Sequence, residues 1–211
     1  MPAGGQSTKS AWERQYERNR RLWRGPGEAQ FDLPPKARVL ELGCGSGKTL
    51  SALAGKEAEI VAVDISRAAL RSCTSANFGG AIHFLEAKVE RLPLRNARFD
   101  AVIVHHILGH LVENERKEAV DEIARVLKPG GMVHVRVFST SDMRYGKGEE
   151  MEANTFRKGT GVFCHFFSEL ELEELFSGFE AMGVRKIETS KRFEGAEQRR
   201  SEIVAAYRSA P

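Results

Sequence analysis

A glycine-rich stretch that follows an apolar run has the residue types and spacing best suited to ligand chemistry. The apolar run over 37–42 predicts a buried strand, and Gly43, Gly45 and Gly47 then alternate with small residues before a helix-forming run over 48–56. A strand, a glycine turn and a helix start bring a ligand against bare backbone at the end of a parallel strand. Glycine suits such a turn because a Cβ would hold the ligand away and because the turn often needs a positive φ.

Three kinds of ligand site compete for this loop. A dinucleotide site needs G-x-G-x-x-G, but its third glycine position holds Leu50. A P-loop needs a glycine five residues before Gly47, and that position is Leu42, inside the predicted strand. The pattern E/D-x-G-x-G-x-G fits throughout, with Glu41 as its acid. A tight glycine turn that binds nothing is the structural alternative.

A second buried strand, predicted over 59–64, ends in an acid. Asp64 lies 17 residues beyond Gly47, and a carboxylate there can accept hydrogen bonds from both hydroxyls of a ribose. NAD sites use an acid in the same way, so Asp64 supports an adenosine ligand without naming it. Its alternative role is to cap the next helix, predicted over 66–75, but Ser66 can be that cap and leave Asp64 free.

Histidines follow the fourth predicted strand, which covers 98–104. His105 and His106 therefore fall at the carboxyl end of that strand, where ligands bind in doubly wound sheets. Imidazole titrates near neutrality, so either ring could act as a general base. His106 and His110 are four residues apart, but a metal site needs a third ligand, and we predict none. The alternative is that these histidines form a polar wall.

The remaining pattern predicts one α/β domain over 10–211. Residues 1–9 are expected to be disordered, and 10–24 to form a helix that packs on the domain, with a lid or an RNA-facing surface as alternatives. A helix over 113–127 stops at Lys-Pro-Gly-Gly before a fifth strand, 132–138. Further elements are predicted as a polar insertion over about 139–167 that covers the substrate, a helix over 168–177, strands over 182–189 and 202–208, and a loop over 190–201.

Composition limits the class of protein and the cellular compartment that fit this chain. Its 211 residues are 41% hydrophobic and 29% charged, which is enough for a sizeable core. No apolar run reaches the length of a membrane span, and the polar N-terminus lacks a signal-peptide core. The three widely spaced cysteines predict free thiols in a reducing cytoplasm. A net charge of +3 does not by itself indicate nucleic-acid binding.

Taken in order, these motifs resemble the class I S-adenosyl-L-methionine (SAM)-dependent methyltransferases. The resemblance covers about 12–208 and rests on the glycine motif over 41–47, Asp64, the Phe99-Asp100 strand and the helix stop over 127–131. It implies an α/β fold with a Rossmann-like doubly wound sheet of seven strands, mostly parallel with one antiparallel strand, and helices on both faces. It also implies SAM as cofactor and S-adenosyl-L-homocysteine as product.

The resemblance implies site residues as well. In the family an Asp usually stands at the position of Lys88 and bonds the adenine amino group; a lysine has only donors, which leaves Glu90 or Glu86 as substitutes. His105 and His106 would line the methyl side as the catalytic candidates. The implied cofactor-binding residues are Glu41, Gly43, Cys44, Gly45, Gly47, Asp64, Ile65, Lys88, Val89, Glu90 and His105. The implied acceptor-binding residues are Arg136, Tyr145, Glu150, Asn154, His165 and Phe167.

Three functions stay open at this level. The first is a methyltransferase for a small molecule, which the modest charge and the polar insertion favour. The second is an RNA or tRNA methyltransferase, which the arginines over 14–24 and the basic residues Lys191, Arg192, Arg199 and Arg200 suggest. The third is a P-loop-like nucleotide enzyme or a nonenzymatic SAM-fold module. We expect a monomer or homodimer in the cytoplasm, with no membrane partner.

Overall fold

A computed structural model describes residues 4–19, 31, 33–53, 56–76, 78–193 and 196–211. The helices are α1 (Gly4–Arg18), α2 (Lys48–Leu53), α3 (Arg67–Thr74), a short 3-10 helix (Leu108–His110), α4 (Glu113–Val126) and α5 (Glu169–Leu175). The strands are β1 (Ala37–Leu42), β2 (Ala58–Asp64), β3 (Ala81–Glu86), β4 (Phe99–His105), β5 (Leu127–Phe138), β6 (Glu149–Glu152), β7 (Thr155–Arg157), β8 (Phe163–His165), β9 (Glu180–Phe193) and β10 (Ala196–Arg208).

Seven of these strands form one sheet, in the order β3-β2-β1-β4-β5-β10-β9. The pairs from β3 to β5 are all parallel, and β10 runs antiparallel to both of its neighbours. The predicted fold class, a mostly parallel sheet with one antiparallel strand, is therefore confirmed. The chain leaves β1 first toward β2 and later returns to β4 on its other side, so the strand order reverses between β1 and β4. Ligands of doubly wound sheets bind at that reversal.

The sheet is buried on both faces. Along β1, Leu40 and Leu42 belong to the larger core cluster, whereas Ala37 and Val39 belong to the smaller one. Because successive side chains of a strand point to opposite faces, this alternation places one cluster on each side of the sheet. Helix α4 supplies Ile123 and its apolar neighbours to the larger cluster, and α2 supplies leucines to the smaller one. The predicted helices on both faces are thus observed.

The two ends of the chain differ from expectation. We expected disorder over 1–9, but helix α1 begins at Gly4; the end of the predicted helix, 20–24, lies outside the described residues. The loop predicted over 190–201 is wrong in its described part, since 190–193 continue β9 and 196–201 continue β10. Only 202–208 of β10 pair with β5. The sequence over 190–201 shows no apolar alternation to signal a strand.

The polar segment after β5 folds into a small sheet of its own. Strands β6, β7 and β8 pair antiparallel in that order between β5 and α5. The Lys-Pro-Gly-Gly run, predicted to precede the fifth strand, lies within β5 instead, because β5 begins directly after α4. In the part of the chain that the structure describes, no helix is both long and apolar enough to cross a membrane.

Candidate active site

The glycine loop between β1 and α2 needs glycine at each of its three positions. Gly43, Gly45 and Gly47 have φ values of 73°, 54° and 84°, which side chains rarely tolerate. A Cβ on Gly47 would clash with the ring of Phe78, and one on Gly45 would lie 2.6 Å from the Tyr16 hydroxyl. The loop therefore presents bare backbone at the carboxyl end of β1.

Asp64, at the end of β2, holds this loop through a hydrogen bond to its backbone. Its Oδ2 accepts the Gly45 N–H at 2.8 Å, and its Oδ1 accepts the Ser66 N–H at 2.9 Å. Ser66 caps α3 itself by accepting the Ala69 N–H, as predicted. The expectation that this leaves Asp64 free is wrong, because the carboxylate already holds two backbone donors. Burial raises the pKa of Asp64 to about 6.

Glu41 supplies a second buried carboxyl group under the same loop. Burial raises its pKa to about 8, with a further contribution from nearby Asp64, while a hydrogen bond with Thr49 opposes the rise. Among the described residues its Oε2 has no hydrogen-bond partner. A buried acceptor without a donor is costly, and the ammonium of an amino acid would satisfy it. Glu41, Asp64 and the glycines thus fit a nucleoside that carries an amino-acid tail.

The residues expected around the adenine lie along the next stretch of chain. Ile65 follows Asp64 directly, and the Val89 side chain is buried in the core, so an adenine contact at Val89 would come from its backbone. The Lys88 ammonium pairs with Glu90 at 2.6 Å, and this hydrogen bond raises the lysine's pKa. Glu86 is also ion-paired, with Lys9 and Arg67. Both proposed substitutes for the usual Asp are therefore already paired with cations.

Helix α1 lies beside the glycine loop, across the cleft at the carboxyl ends of the parallel strands. Glu13 accepts the Ser66 hydroxyl at 2.7 Å and the Ala68 N–H at 3.1 Å, at the start of α3. On the other side, the Trp12 ring meets His110 edge-on, with centroids 4.6 Å apart. Packing of this helix was predicted, with a lid as the alternative. The role of Glu13 was not, since nothing in the local sequence shows which surface it meets.

His105 and His106 end β4 on the other side of the cleft. Burial lowers the pKa of His105 to about 3, and burial also takes the pKa of His106 well below its ordinary value. His106 has a φ of 63°, and its N–H donates to the Arg136 carbonyl at 2.7 Å. Its ring stacks on Phe138 with centroids 4.3 Å apart. Both rings are therefore neutral at pH 7.

A network of arginines and carboxylates adjoins these histidines. Arg136 Nε donates to Glu202 at 2.8 Å, and Asp142 accepts from Arg144 at 2.7 Å and from Arg200 at 3.2 Å. The Arg144 guanidinium carbon lies 3.6 Å from the centroid of the Phe138 ring. Of these residues, Arg136 was predicted as an acceptor contact, and Arg200 only as one of the basic residues that suggest RNA. The other residues of this network, which the sequence did not indicate as site residues, are Phe138, Asp142, Arg144 and Glu202.

The structure brings three of the remaining acceptor candidates together. The Tyr145 hydroxyl donates to Asn154 Oδ1 at 2.8 Å, and the Asn154 N–H donates to Glu150 at 3.2 Å, at the β6–β7 turn. For His165 and Phe167 the prediction needs correction. They are 1% and 0% exposed, because His165 is held between Thr155 and Glu171 and Phe167 is part of the core. Neither offers a surface to an acceptor.

Within the described ranges, no group of three or more His, Cys, Asp or Glu side chains is placed to hold a metal ion. The hydrogen-bond partner of the His110 ring is a backbone carbonyl: its Nδ1 lies 2.7 Å from the oxygen of Phe163. His110 therefore joins the 3-10 helix to β8, which fits the polar-wall alternative.

Comparison with known proteins agrees with this geometry. Residues 40–135 match the family model of a methyltransferase domain. Over that range the chain is similar to a methyltransferase domain, and its fold is that of solved SAM-dependent methyltransferases. The match and the S-adenosylhomocysteine bound in one of those structures agree with SAM as the predicted cofactor. The matched range runs from β1 through the glycine loop, Asp64 and the histidines into β5.

Similar proteins act on different kinds of acceptor. Human tRNA N(3)-cytidine methyltransferase METTL2B is 27% identical over 164 residues, which cover 72% of this chain and 43% of that protein. Demethylmenaquinone methyltransferase from Clavibacter sepedonicus is 34% identical over 123 residues, which cover 58% of this chain and 49% of that protein. The chain thus spans less than half the length of these two relatives, and their acceptors do not transfer to it directly.

A solved structure supports the fold over nearly the whole chain. The 1,6-didemethyltoxoflavin-N1-methyltransferase from Burkholderia thailandensis superposes with a TM-score of 0.75, covering 98% of this chain and 88% of that one at 20% identity. At that identity the likeness concerns the fold. The likeness of fold extends beyond residues 40–135, which the family model matches, to nearly the whole chain.

Proposed function

We propose that this protein is a SAM-dependent methyltransferase whose acceptor is a small molecule. The observation that carries the proposal is the position of α1, which contacts the cofactor loop through Tyr16 and the acceptor side through Trp12. Ala11 also lies against Gly161 of the insertion, where a Cβ would be 3.5 Å away. A cleft spanned in this way favours a compact acceptor. The three buried free cysteines support a reducing cytoplasm.

The glycine loop, Cys44 and Glu41 would hold the amino-acid end of the cofactor, and Asp64 with Ile65 would hold its ribose. The adenine would lie near Lys88, Val89 and Glu90. SAM, when bound, supplies a methyl group already activated by its positive sulfur. The protein's own task is then to hold the two reactants in line and to exclude water. His105 and His106 would face the methyl side, and the proposed acceptor contacts are Arg136, Tyr145, Glu150 and Asn154.

The test is transfer of isotopically labelled methyl from SAM into a cell extract that has been separated into small molecules and RNA. We expect label in the small-molecule fraction, and much less of it when Asp64→Ala replaces the wild-type protein at a SAM concentration below its Kd for the variant. Label found only in the RNA fraction would contradict the proposal. A matched control is Asp121→Ala on α4, which removes a carboxylate that no proposed contact uses.

An RNA acceptor is the second candidate, and similarity to the tRNA methyltransferase favours it. Against it, two of the arginines that suggested RNA are already ion-paired, Arg199 with Glu188 and Arg200 with Asp142. Residues 20–24, which hold three more, lie outside the described residues. An RNA-binding protein would lose affinity for a tRNA mixture steeply as salt increases. Flat or absent binding would leave the small-molecule proposal standing.

A further inference from the structure

One histidine at the acceptor end is held in a strained position. His106 has a φ of 63° although it is not a glycine, and such backbone strain persists only when the surroundings impose it. Here its N–H donates to the Arg136 carbonyl at 2.7 Å, and its ring stacks on Phe138 with an interplanar angle of 27°. The ring plane is therefore fixed at the carboxyl end of β4, at the point where strand order reverses.

The two ring nitrogens of His106 have different surroundings. Nε2 lies 3.8 Å from Oε1 of Glu202, whose other oxygen accepts from Arg136 at 2.8 Å. Nδ1 is buried, and no described residue offers it a hydrogen-bond partner. A carboxylate beside Nε2 favours the tautomer that carries its proton on Nε2, which leaves the lone pair on Nδ1. A buried lone pair without a donor marks a place for an incoming N–H or O–H.

Burial keeps this ring neutral. It is the main cause that lowers the pKa of His106, and the positive charges of Arg136 and Arg144 lower it further. Glu202 is the acid that faces the ring, and its carboxylate forms ion pairs with both Arg136 and Arg200. Neutral imidazole is the form that can accept a proton.

We propose that His106 is the general base for the acceptor and that Glu202 is its positioning residue. This inference rests on the proposed methyl transfer and deepens it by naming the acceptor chemistry. As the acceptor's heteroatom forms its bond to the methyl carbon, its proton passes to Nδ1 and the electron pair of the broken C–S bond stays on sulfur. Glu202 stabilises the imidazolium that results. The acceptor therefore carries an N–H or O–H at the methylated atom.

This acceptor class differs from a ring nitrogen that has a lone pair and no hydrogen. Such a nitrogen attacks without losing a proton, so it gains nothing from a base at Nδ1. The inference thus separates phenols, enols, alcohols and N–H heterocycles from pyridine-type nitrogens. The sequence indicated Glu202 only as the first residue of the strand over 202–208, since nothing near it in the sequence shows that it faces His106.

The first test is the tautomer of His106, read from long-range 1H–15N spectra with and without S-adenosyl-L-homocysteine. The chain has six histidines, so loss of one signal in His106→Gln assigns the ring. We expect a neutral ring with its proton on Nε2 at neutral pH, and a shift toward the other tautomer in Glu202→Gln. A proton on Nδ1 in the wild-type protein, or a charged ring, would overturn the proposal. This readout needs no acceptor.

The second test uses the small-molecule fraction that accepts label in the transfer assay. We expect His106→Gln to lower kcat by about 100-fold or more, in the range of general-base catalysis, with little change in KM. Glu202→Gln should lower kcat about tenfold and move the acidic limb of the pH–rate profile. Matched controls are His83→Gln, an exposed histidine on β3, and Glu188→Gln on β9.

Calorimetry of SAM binding separates the two proposals. If His106→Gln binds SAM as the wild-type protein does but transfers no methyl, the base assignment stands. If His106→Gln keeps kcat within about threefold of wild type, which is far less than a lost general base costs, the assignment falls while the methyltransferase proposal survives. If the wild-type protein does not bind SAM, the proposed function itself fails. A methylated product whose acceptor atom carried no hydrogen would also overturn the inference.

Discussion

At the cofactor end the ligand site is mostly backbone from two neighbouring strand ends, whereas at the acceptor end it is mostly side chains from distant elements. The glycine loop follows β1, and Asp64 ends β2, which pairs with β1. His106, Phe138 and Glu202 come instead from the ends of β4 and β5 and from β10, and Arg144 comes from the insertion. A cofactor shared by a whole family needs a constant backbone shape. An acceptor is selected by side chains that insertions can vary.

The two ends also differ in the ionisable groups that they bury and in the direction in which the pKa values of those groups are shifted. Buried carboxyl groups with raised pKa values lie under the glycine loop, and a cationic group on the ligand would favour their ionised forms. At the acceptor end, imidazoles with lowered pKa values are held neutral. The cofactor end is thus suited to a positively charged ligand, whereas the imidazoles at the acceptor end keep an unprotonated ring nitrogen at pH 7. Four predictions test this contrast.

The largest effect is expected from Asp64→Ala. It removes a charged acceptor and also frees the Gly45 and Ser66 N–H groups, so SAM affinity should fall about 10- to 100-fold, or about 1.5–3 kcal/mol. Isothermal calorimetry measures the change. Asp64→Asn keeps the shape of the side chain and should lose less. Unchanged affinity in both variants would remove Asp64 from the cofactor site.

Stability without ligand should depend on pH through Glu41. Its folded pKa of about 8 lies above its unfolded value, so the folded state holds a proton that the unfolded state lacks. Stability therefore falls as pH rises from about 6.5 to 8, by about 1.4 kcal/mol per pH unit. Below about pH 6.5 the buried histidines reverse the slope, because the unfolded state then binds more protons.

Urea unfolding across this range measures the slope, and Glu41→Gln should flatten it above about pH 6.5. The control is Glu59→Gln, which changes a half-exposed carboxylate of β2. An equal slope in wild type and in Glu41→Gln would mean that Glu41 is ionised in the folded protein.

A smaller, local effect is expected from Glu13→Ala. Loss of its bonds to Ser66 and Ala68 should loosen α1 by about 1 kcal/mol, as for other helix caps. Hydrogen exchange of the amides in α1 should speed up, with little change in the melting temperature of the sheet. Glu17→Ala, one turn further along the same helix, is the matched control. Equal exchange in the two variants would show that Glu13 does not hold α1 in place.

The smallest effect on cofactor binding is expected from Arg144→Ala. It removes the contact with Phe138 and the pair with Asp142, so the insertion should become more susceptible to protease. SAM affinity should stay within about twofold, since distant sites act independently. A large loss of SAM affinity would show that the two ends of the site are coupled.

The sequence predicts well where the glycine loop and Asp64 lie in the fold, because their signals are local. Alternating glycines after an apolar run, and an acid at the end of the next strand, each reveal their place in the fold within a few residues. Asp64 was still misjudged in part, since its bonds to Gly45 and Ser66 depend on how the loop and α3 meet. Lys88 was rightly seen as unable to accept from the adenine, but its pairing with Glu90 was not foreseen.

The acceptor end could not be predicted in the same way. Glu202 faces His106 only because β10 pairs antiparallel with β5, which places Glu202 opposite Phe138. The strand over 202–208 was predicted, but its pairing partner was not, and the fold of the insertion decides where Asp142 and Arg144 lie. Phe167, at the end of the predicted insertion, was predicted as an acceptor contact, but its side chain is part of the core. Tertiary contacts settle such positions, and short-range patterns do not.

The central claim is that the glycine loop and its two buried acids bind SAM. The most direct test is thermal unfolding with SAM, S-adenosyl-L-homocysteine, NAD and ATP–magnesium added separately. A ligand at about 100 times its Kd stabilises the folded state by about 2.7 kcal/mol, which raises the Tm of a domain of this size by several degrees. We expect that rise with SAM and S-adenosyl-L-homocysteine alone. A rise with NAD or ATP–magnesium, or none with SAM, would contradict the claim.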